Sequence, residues 1–241
     1  MKLSTKARIR VAIRNITDAF SGTRFAGERP LGEACRLKQV LELSQPFKPS
    51  ETLAGKIHNL TEAARCINRV TVLPGEVISF WRAVGNPNDS RRFTYGRSIH
   101  NGVQTKDFGG GLCQASGIMH HAALLAGLEV VERFNHSVDL YTDETRFAPL
   151  GTDATVFYGF KDLRIRNNTG SPIKFELMVE NAALRLVLHG ADSMRRRELD
   201  IVICEAPDGV KDVKVRDAAG CVVSTSVYQP LNIVKRDEKT D

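Results

Sequence analysis

A chain of 241 residues that is 42% hydrophobic and 26% charged falls within ordinary globular usage and is long enough to bury one sizeable core. No apolar run approaches the ~20 residues of a transmembrane helix, so no membrane span is expected. The formal charge of +6 is gathered at one end, where Lys2, Lys6, Arg8, Arg10, Arg14 and Arg24 meet the single Asp18 within the first 25 residues. Aromatics are 7% of the chain and are not interleaved among Lys and Arg, which argues against nucleic acid as a partner.

The first ten residues carry four basic side chains, Lys2, Lys6, Arg8 and Arg10, and lack the continuous apolar core of a secretory signal. A cytoplasmic protein is expected, with peripheral attachment to the inner face of the membrane left open. Cys35, Cys66, Cys113, Cys204 and Cys221 are odd in number and scattered, so neither structural disulfides nor a zinc knuckle is expected.

From Thr5 to Phe20, Ile9, Ala12, Ile13, Ile16 and Phe20 recur at three- and four-residue steps and form one stripe of a helix, with the arginines largely off it. Such a basic amphipathic helix, residues 1–20, can lie in an anionic membrane surface. The alternative is a terminal helix that packs on the domain and leaves its charges in water.

After the loop from Ser21 to Pro30, a helix is predicted over 59–70 and a turn at Leu73-Pro74-Gly75-Glu76. A strand from Val77 to Trp81 and a polar loop from Asn86 to Arg92 follow. Gly109-Gly110-Gly111 then opens a helix from Leu112 to Ala126, closed by Gly127 as C-cap. Strands are predicted at 128–134, 154–160, 163–167, 173–179 and 184–189. Beyond Arg195, strands at 201–204, 213–216 and 221–228 suggest a small appended sheet, and the charged tail from Lys235 is expected to fray. The fold class is α+β: a helix bearing Cys113 on an antiparallel sheet, with a C-terminal β appendage over 195–241.

Chemistry concentrates between residues 107 and 162. Cys113 falls in the first turn of its helix, where orphan N–H groups and the macrodipole favour a thiolate. The three glycines before it would let the backbone bend tightly and leave room for a substrate. His136, after the next strand, could serve as base and Asp153 as its orienter. Gln114 could donate to an oxyanion; Gly109, Gly110, Gly111 and Ser116 are candidate binding residues. The competing reading makes Cys113 a buried small hydrophobe, His136 a core histidine and Asp153 a turn residue. His120 and His121 are adjacent, about 100° apart on the helix, and cannot face one centre. His100, Cys113, one of that pair and His136 could bind zinc, but no short-spaced pair fixes the geometry; neither a metal nor a cofactor is expected.

Helix-borne Cys, then His, then Asp is a chain order that resembles papain-like and transglutaminase-like cysteine enzymes. More specifically, Gly109-Gly110-Gly111-Leu112-Cys113-Gln114-Ala115-Ser116, Leu128-Glu129-Val130-Val131-Glu132-Arg133, His136-Ser137 and Gly151-Thr152-Asp153-Ala154-Thr155-Val156 resemble the VanW family. The likeness reaches back through Gly22 to Gly27 and Leu73 to Trp81, and forward through Asp162 to Thr169. A VanW-like domain over 21–194 is the expected consequence. The resemblance implies a bacterial source and a link to the cell envelope and vancomycin resistance. The function expected is a cysteine-dependent amide hydrolase or acyl-transferase acting on a peptide-like or cell-wall-precursor substrate. A non-catalytic module that binds an anionic or peptide ligand at the same glycine loop and helix N-terminus is the alternative.

Overall fold

The structure is a computed structural model that describes residues 5–29, 37–100, 103–139, 146, 148–180 and 182–230. Cys35 and the tail from Lys235 lie outside the described residues. The protein is mixed in α and β, with small antiparallel sheets and few helices.

The central element is α4 (Leu112–Ala126), whose bounds match the expectation. Its residues are buried except Cys113 and His121, because it is covered by α2 (Leu53–Ile67), β1 (Lys38–Pro46), β8 (Ala183–Gly190) and β5 (Glu129–Glu132). Gly127 closes it at φ 66° with its N–H on Leu124, the left-handed cap that glycine adopts at little cost. Leu60, Ala63, Ala64 and Ile67 form the buried stripe of α2. This helix begins before the expected Asn59 and stops short of Val70. Asn68 ends it by bonding both the N–H and the carbonyl of Leu177 at 2.8 and 2.9 Å, which fixes α2 to β7 (Lys174–Glu180).

Three three-stranded sheets and a hairpin surround these helices. One sheet runs β1-β8-β7, and a second runs β2-β6-β5, with β2 at Val77–Ser79 and β6 at Arg164–Arg166. The hairpin pairs β3 (Tyr95–His100) with β4 (Val103–Phe108). The third sheet, β11-β10-β9, gathers β9 (Leu199–Glu205), β10 (Lys211–Asp217) and β11 (Val222–Tyr228) around Leu150, Val213 and Tyr228.

Two expected strands take other forms. The one from Val77 to Trp81 stops at Ser79, whose hydroxyl accepts from the Arg82 N–H at 3.2 Å and starts the short helix α3 (Phe80–Val84). The one from Ala154 to Phe160 joins no ladder. Its Ala154 carbonyl and that of the preceding Asp153 are taken by the Ser116 and Arg133 side chains at 2.7 Å each, and it turns back at Gly159, φ 83°.

Helix α1 (Thr5–Phe20) has the expected bounds but packs with the face opposite its isoleucines. Asp18 is buried and bonded by Arg82 and Arg164 at 2.7–3.1 Å, and Arg14 clamps Glu132 at 2.6 and 2.7 Å. Among the described residues, no helix is long and apolar enough to cross a membrane.

Candidate functional site

Cys113 is half-buried at the mouth of α4. Its sulfur lies 3.6 Å from the Thr155 hydroxyl and 3.8 Å from the Val156 carbonyl. The His136 side chain approaches it from the segment after β5, near enough to act on the thiol electrostatically. On the other side of the ring, Nδ1 meets Asp153 Oδ2 at 2.6 Å, and the same carboxylate oxygen accepts the His136 backbone N–H at 2.8 Å. The structure thus places thiol, imidazole and carboxylate in one line.

Their electrostatics agree with that order. Burial resists ionisation of Cys113, but the hydrogen bond and charge of His136 outweigh it and bring the thiol down from 9.0 to about 7. Burial likewise disfavours the charged ring of His136, yet the hydrogen bonds to Asp153 and Cys113 raise it to about 10. Asp153 resists burial through His136, Arg133 and Tyr228 and stays well below the usual carboxylate range. The lowered thiol and the raised ring both favour a thiolate–imidazolium pair near neutral pH.

The third sheet holds this line in place, which the sequence did not signal. The Tyr228 hydroxyl on β11 donates to Asp153 Oδ1 and accepts the Gly151 N–H at 3.1 Å. Burial and the neighbouring carboxylate keep the Tyr228 proton on. Arg133 donates to Asp153 Oδ1 at 3.0 Å, to the Thr225 carbonyl at 2.9 Å and to the Ser226 hydroxyl at 2.7 Å. On either side of His136, Asn135 donates to the Val227 carbonyl at 2.7 Å and Ser137 accepts the Gln229 N–H at 2.8 Å. A Cβ on Gly151, φ 86°, would come within 2.9 Å of Val213 and 3.0 Å of Val215, so only glycine lets the loop before Asp153 lie on this sheet.

Other sequence candidates fall elsewhere. Ser116 is fully buried and donates to the Ala154 carbonyl at 2.7 Å, strapping α4 to the Asp153 segment. Gln114 turns toward β1, its amide nitrogen 3.4 Å from the Gln45 carbonyl. The space beside the glycine tract is filled by protein. A Cβ on Gly109 would meet Pro87 at 2.6 Å, one on Gly110 the Gly96 backbone at 2.2 Å, and one on Gly111 Lys56 at 2.6 Å. The room expected for a substrate there is used to bring β3 and α2 against the loop. In the first turn of α4, the N–H groups of Leu112 and Gln114 bond Gly109 and Gly111. The Cys113 N–H has no such partner among the described residues.

His120 is buried and meets the Thr152 carbonyl through Nδ1 at 2.8 Å; burial brings it down to about 3, so it is a neutral core histidine. Burial also lowers His121, to about 4. Asp139 is held by Arg146 at 2.8 and 2.9 Å and by Lys211 at 3.4 Å. Among the described residues, no three of His, Cys, Asp and Glu gather as a metal site. The His100 side chain lies outside what the structure describes.

The residues that build the line fall within a recognised sequence pattern. The model of a family described as VanW like protein matches residues 55–189, more than half of the chain, with Cys113, His136 and Asp153 inside and Tyr228 outside. The chain belongs to the VanW-like family. Among VanW relatives, the vancomycin B-type resistance protein VanW of Enterococcus faecalis is 34% identical over 165 residues, 62% of this chain and 58% of the relative. A Bacillus subtilis protein named as uncharacterized protein YoaR is 30% identical over 140 residues, 58% of this chain and 45% of the relative. The matched region is thus about half the length of these VanW relatives. No solved structure matches the chain.

Proposed function

We propose that this VanW-family chain is a cysteine-dependent amide hydrolase or acyl-transferase. The observation that carries the reading is a half-open thiol, lowered to about 7 by an imidazole that a carboxylate holds from behind. In the proposed reaction the Cys113 thiolate attacks an amide carbonyl, forming a C–S bond. The Cys113 N–H stabilises the oxyanion in the role first assigned to Gln114. As the C–N bond breaks, the His136 imidazolium gives its proton to the leaving amine. The thioester then passes its acyl group to water or to an acceptor amine, with His136 as base.

Asp153 orients the imidazole and stabilises its charge, and the chain order resembles that of papain-like and transglutaminase-like enzymes. The Enterococcus faecalis relative is named for vancomycin resistance. On that ground we propose a peptide-like cell-wall precursor as the substrate class, and a role linked to the cell envelope.

The test is intact-mass spectrometry of the full chain after incubation with short peptide thioesters at pH 7.5. A mass gain equal to the acyl group, mapped to Cys113 and lost in Cys113→Ala and His136→Ala, is expected. If no thioester forms while a labelled peptide still binds and is unaffected by Cys113→Ala, the site is a binding module instead.

A further inference from the structure

We infer that the outward face of α1 is a docking surface for an anionic membrane, a reading independent of the chemistry at Cys113. Ala7, Val11, Arg14 and Asp18, at steps of four, three and four, make up the inward row of the helix. Ala7 and Val11 lie against Gly159, where an added Cβ would meet them at 3.1 and 3.2 Å, while Arg14 and Asp18 make the ion pairs with Glu132, Arg82 and Arg164. Ile9, Ile13, Ile16 and Phe20 repeat the same steps about 200° round the helix. They are 55%, 53%, 59% and 87% exposed. A terminal helix that serves only to cover its domain would bury this row, because burial of an isoleucine is worth about 2 kcal/mol. Here the row that carries Arg14 and Asp18 packs inward, and the wholly apolar row is left in water.

The charges beside that row select the occupant. Lys6 and Arg10 border it on one side and Arg8 on the other, and all three are exposed. Asp18 is the sole carboxylate of α1 and faces inward, in the grip of Arg164 and Arg82. Arg10 also stands 5.7 Å over the ring of Phe160, which stacks on Phe157, itself 54% exposed. An apolar row bordered by cations, with no acidic group facing out, suits a helix lying in the plane of an anionic leaflet, its isoleucines at the acyl boundary and its cations at the headgroups. Because α1 is ion-paired to the body of the protein, it would dock with the whole molecule at the lipid surface.

The experiment is cosedimentation of the full chain with phosphatidylcholine vesicles, with and without phosphatidylglycerol. Binding is expected only where the anionic lipid is present, and it should weaken in 0.5 M salt, where the Debye length falls to a few Å. The double variant Ile9→Asp, Ile13→Asp is expected to cut the partition coefficient by roughly tenfold or more, and Lys6→Gln, Arg8→Gln to weaken binding to anionic vesicles. Both pairs are exposed, so circular dichroism should show each variant folded. Absence of binding to anionic vesicles at low salt, or equal binding by the double Asp variant, would overturn the proposal. So would a dimer, seen by light scattering, that Ile13→Asp breaks in the absence of lipid.

Discussion

Two cysteines at opposite ends of two helices show what separates a structural thiol from a reactive one. Cys66 is buried in the last turn of α2, with Arg92 2.8 Å from its sulfur, and burial still pushes its pKa up. Cys113 sits in the first turn of α4, and its pKa is brought down to about 7. A cation within reach is therefore not enough. Arg92 already bonds Glu62 at 2.6 Å and the Val84 carbonyl at 3.1 Å, so much of its charge is spent, and the Cys66 end of a helix is the negative one. The His136 ring, in contrast, is turned by Asp153 to face the thiol, at the helix end where backbone N–H groups welcome a negative group.

The widest gap should appear in alkylation at pH 7. With a pKa near 7, about half of Cys113 is thiolate, against a few per cent for a free thiol near 8.5. Iodoacetamide should therefore modify Cys113 on the order of tenfold faster than the exposed Cys204 and Cys221, and leave Cys66 nearly untouched. Peptide mass spectrometry over a pH series would read all four rates, with the Cys113 inflection near pH 7. Equal rates at Cys113 and Cys204 would erase the contrast.

His136→Ala should make Cys113 behave more like Cys66. Loss of the adjacent cation should raise its apparent pKa by about 1–3 units, while the Cys66 profile stays in place.

Asp153→Asn tests the support behind the imidazole. It leaves Arg133, only 7% exposed in its side chain, without its carboxylate, and breaking such a buried pair costs about 3 kcal/mol or more. Urea unfolding at pH 7 should show that loss. The sign with pH follows from the lowered carboxylate: its contribution is complete above the unfolded value of ~3.9 and disappears only as pH falls through its depressed folded value. The His136 contribution runs the other way, complete below ~6.5 and lost as pH rises through about 10.

Tyr228→Phe should have the smallest effect. It removes the hydrogen bond to Asp153, worth about 1.5–3 kcal/mol, and the one accepted from the Gly151 N–H, and should slow Cys113 alkylation only modestly, because Arg133 still holds Asp153. A Cys113 rate as low as in His136→Ala would mean that the third sheet controls the thiol more directly than the contacts indicate.

Much of this contrast was legible in the sequence, for identifiable reasons. The glycine tract and the Gly127 cap framed α4, and the isoleucine period framed α1, because both signals are local. The hairpins β7–β8 and β9–β10–β11 were equally readable. The strands β1, β3 and β4 were not, since the burial of β1 alternates weakly along the strand. Nor was the inward row of α1, where Arg14 and Asp18 resemble solvent-facing residues until Glu132 and Arg164 come into view. The segment from Ala154 to Phe160 has strand composition, but side chains of the site claim its backbone. Tyr228 was out of reach altogether: its partner Asp153 lies 75 residues away, and no local period encodes a single distant hydroxyl.

The hold of β11 and the adjoining Gln229 on Arg133, Asn135, Ser137 and Asp153 also orders events during synthesis. Translation delivers chains from the N-terminus at a pace that allows earlier segments to begin folding first, so α4 and its thiol emerge well before Tyr228. Until β11 leaves the ribosome and closes these distant contacts, Asp153 lacks its tyrosine and His136 lacks the ties on either side. The helix that bears the thiol is thus made before the strand that aligns the groups around it.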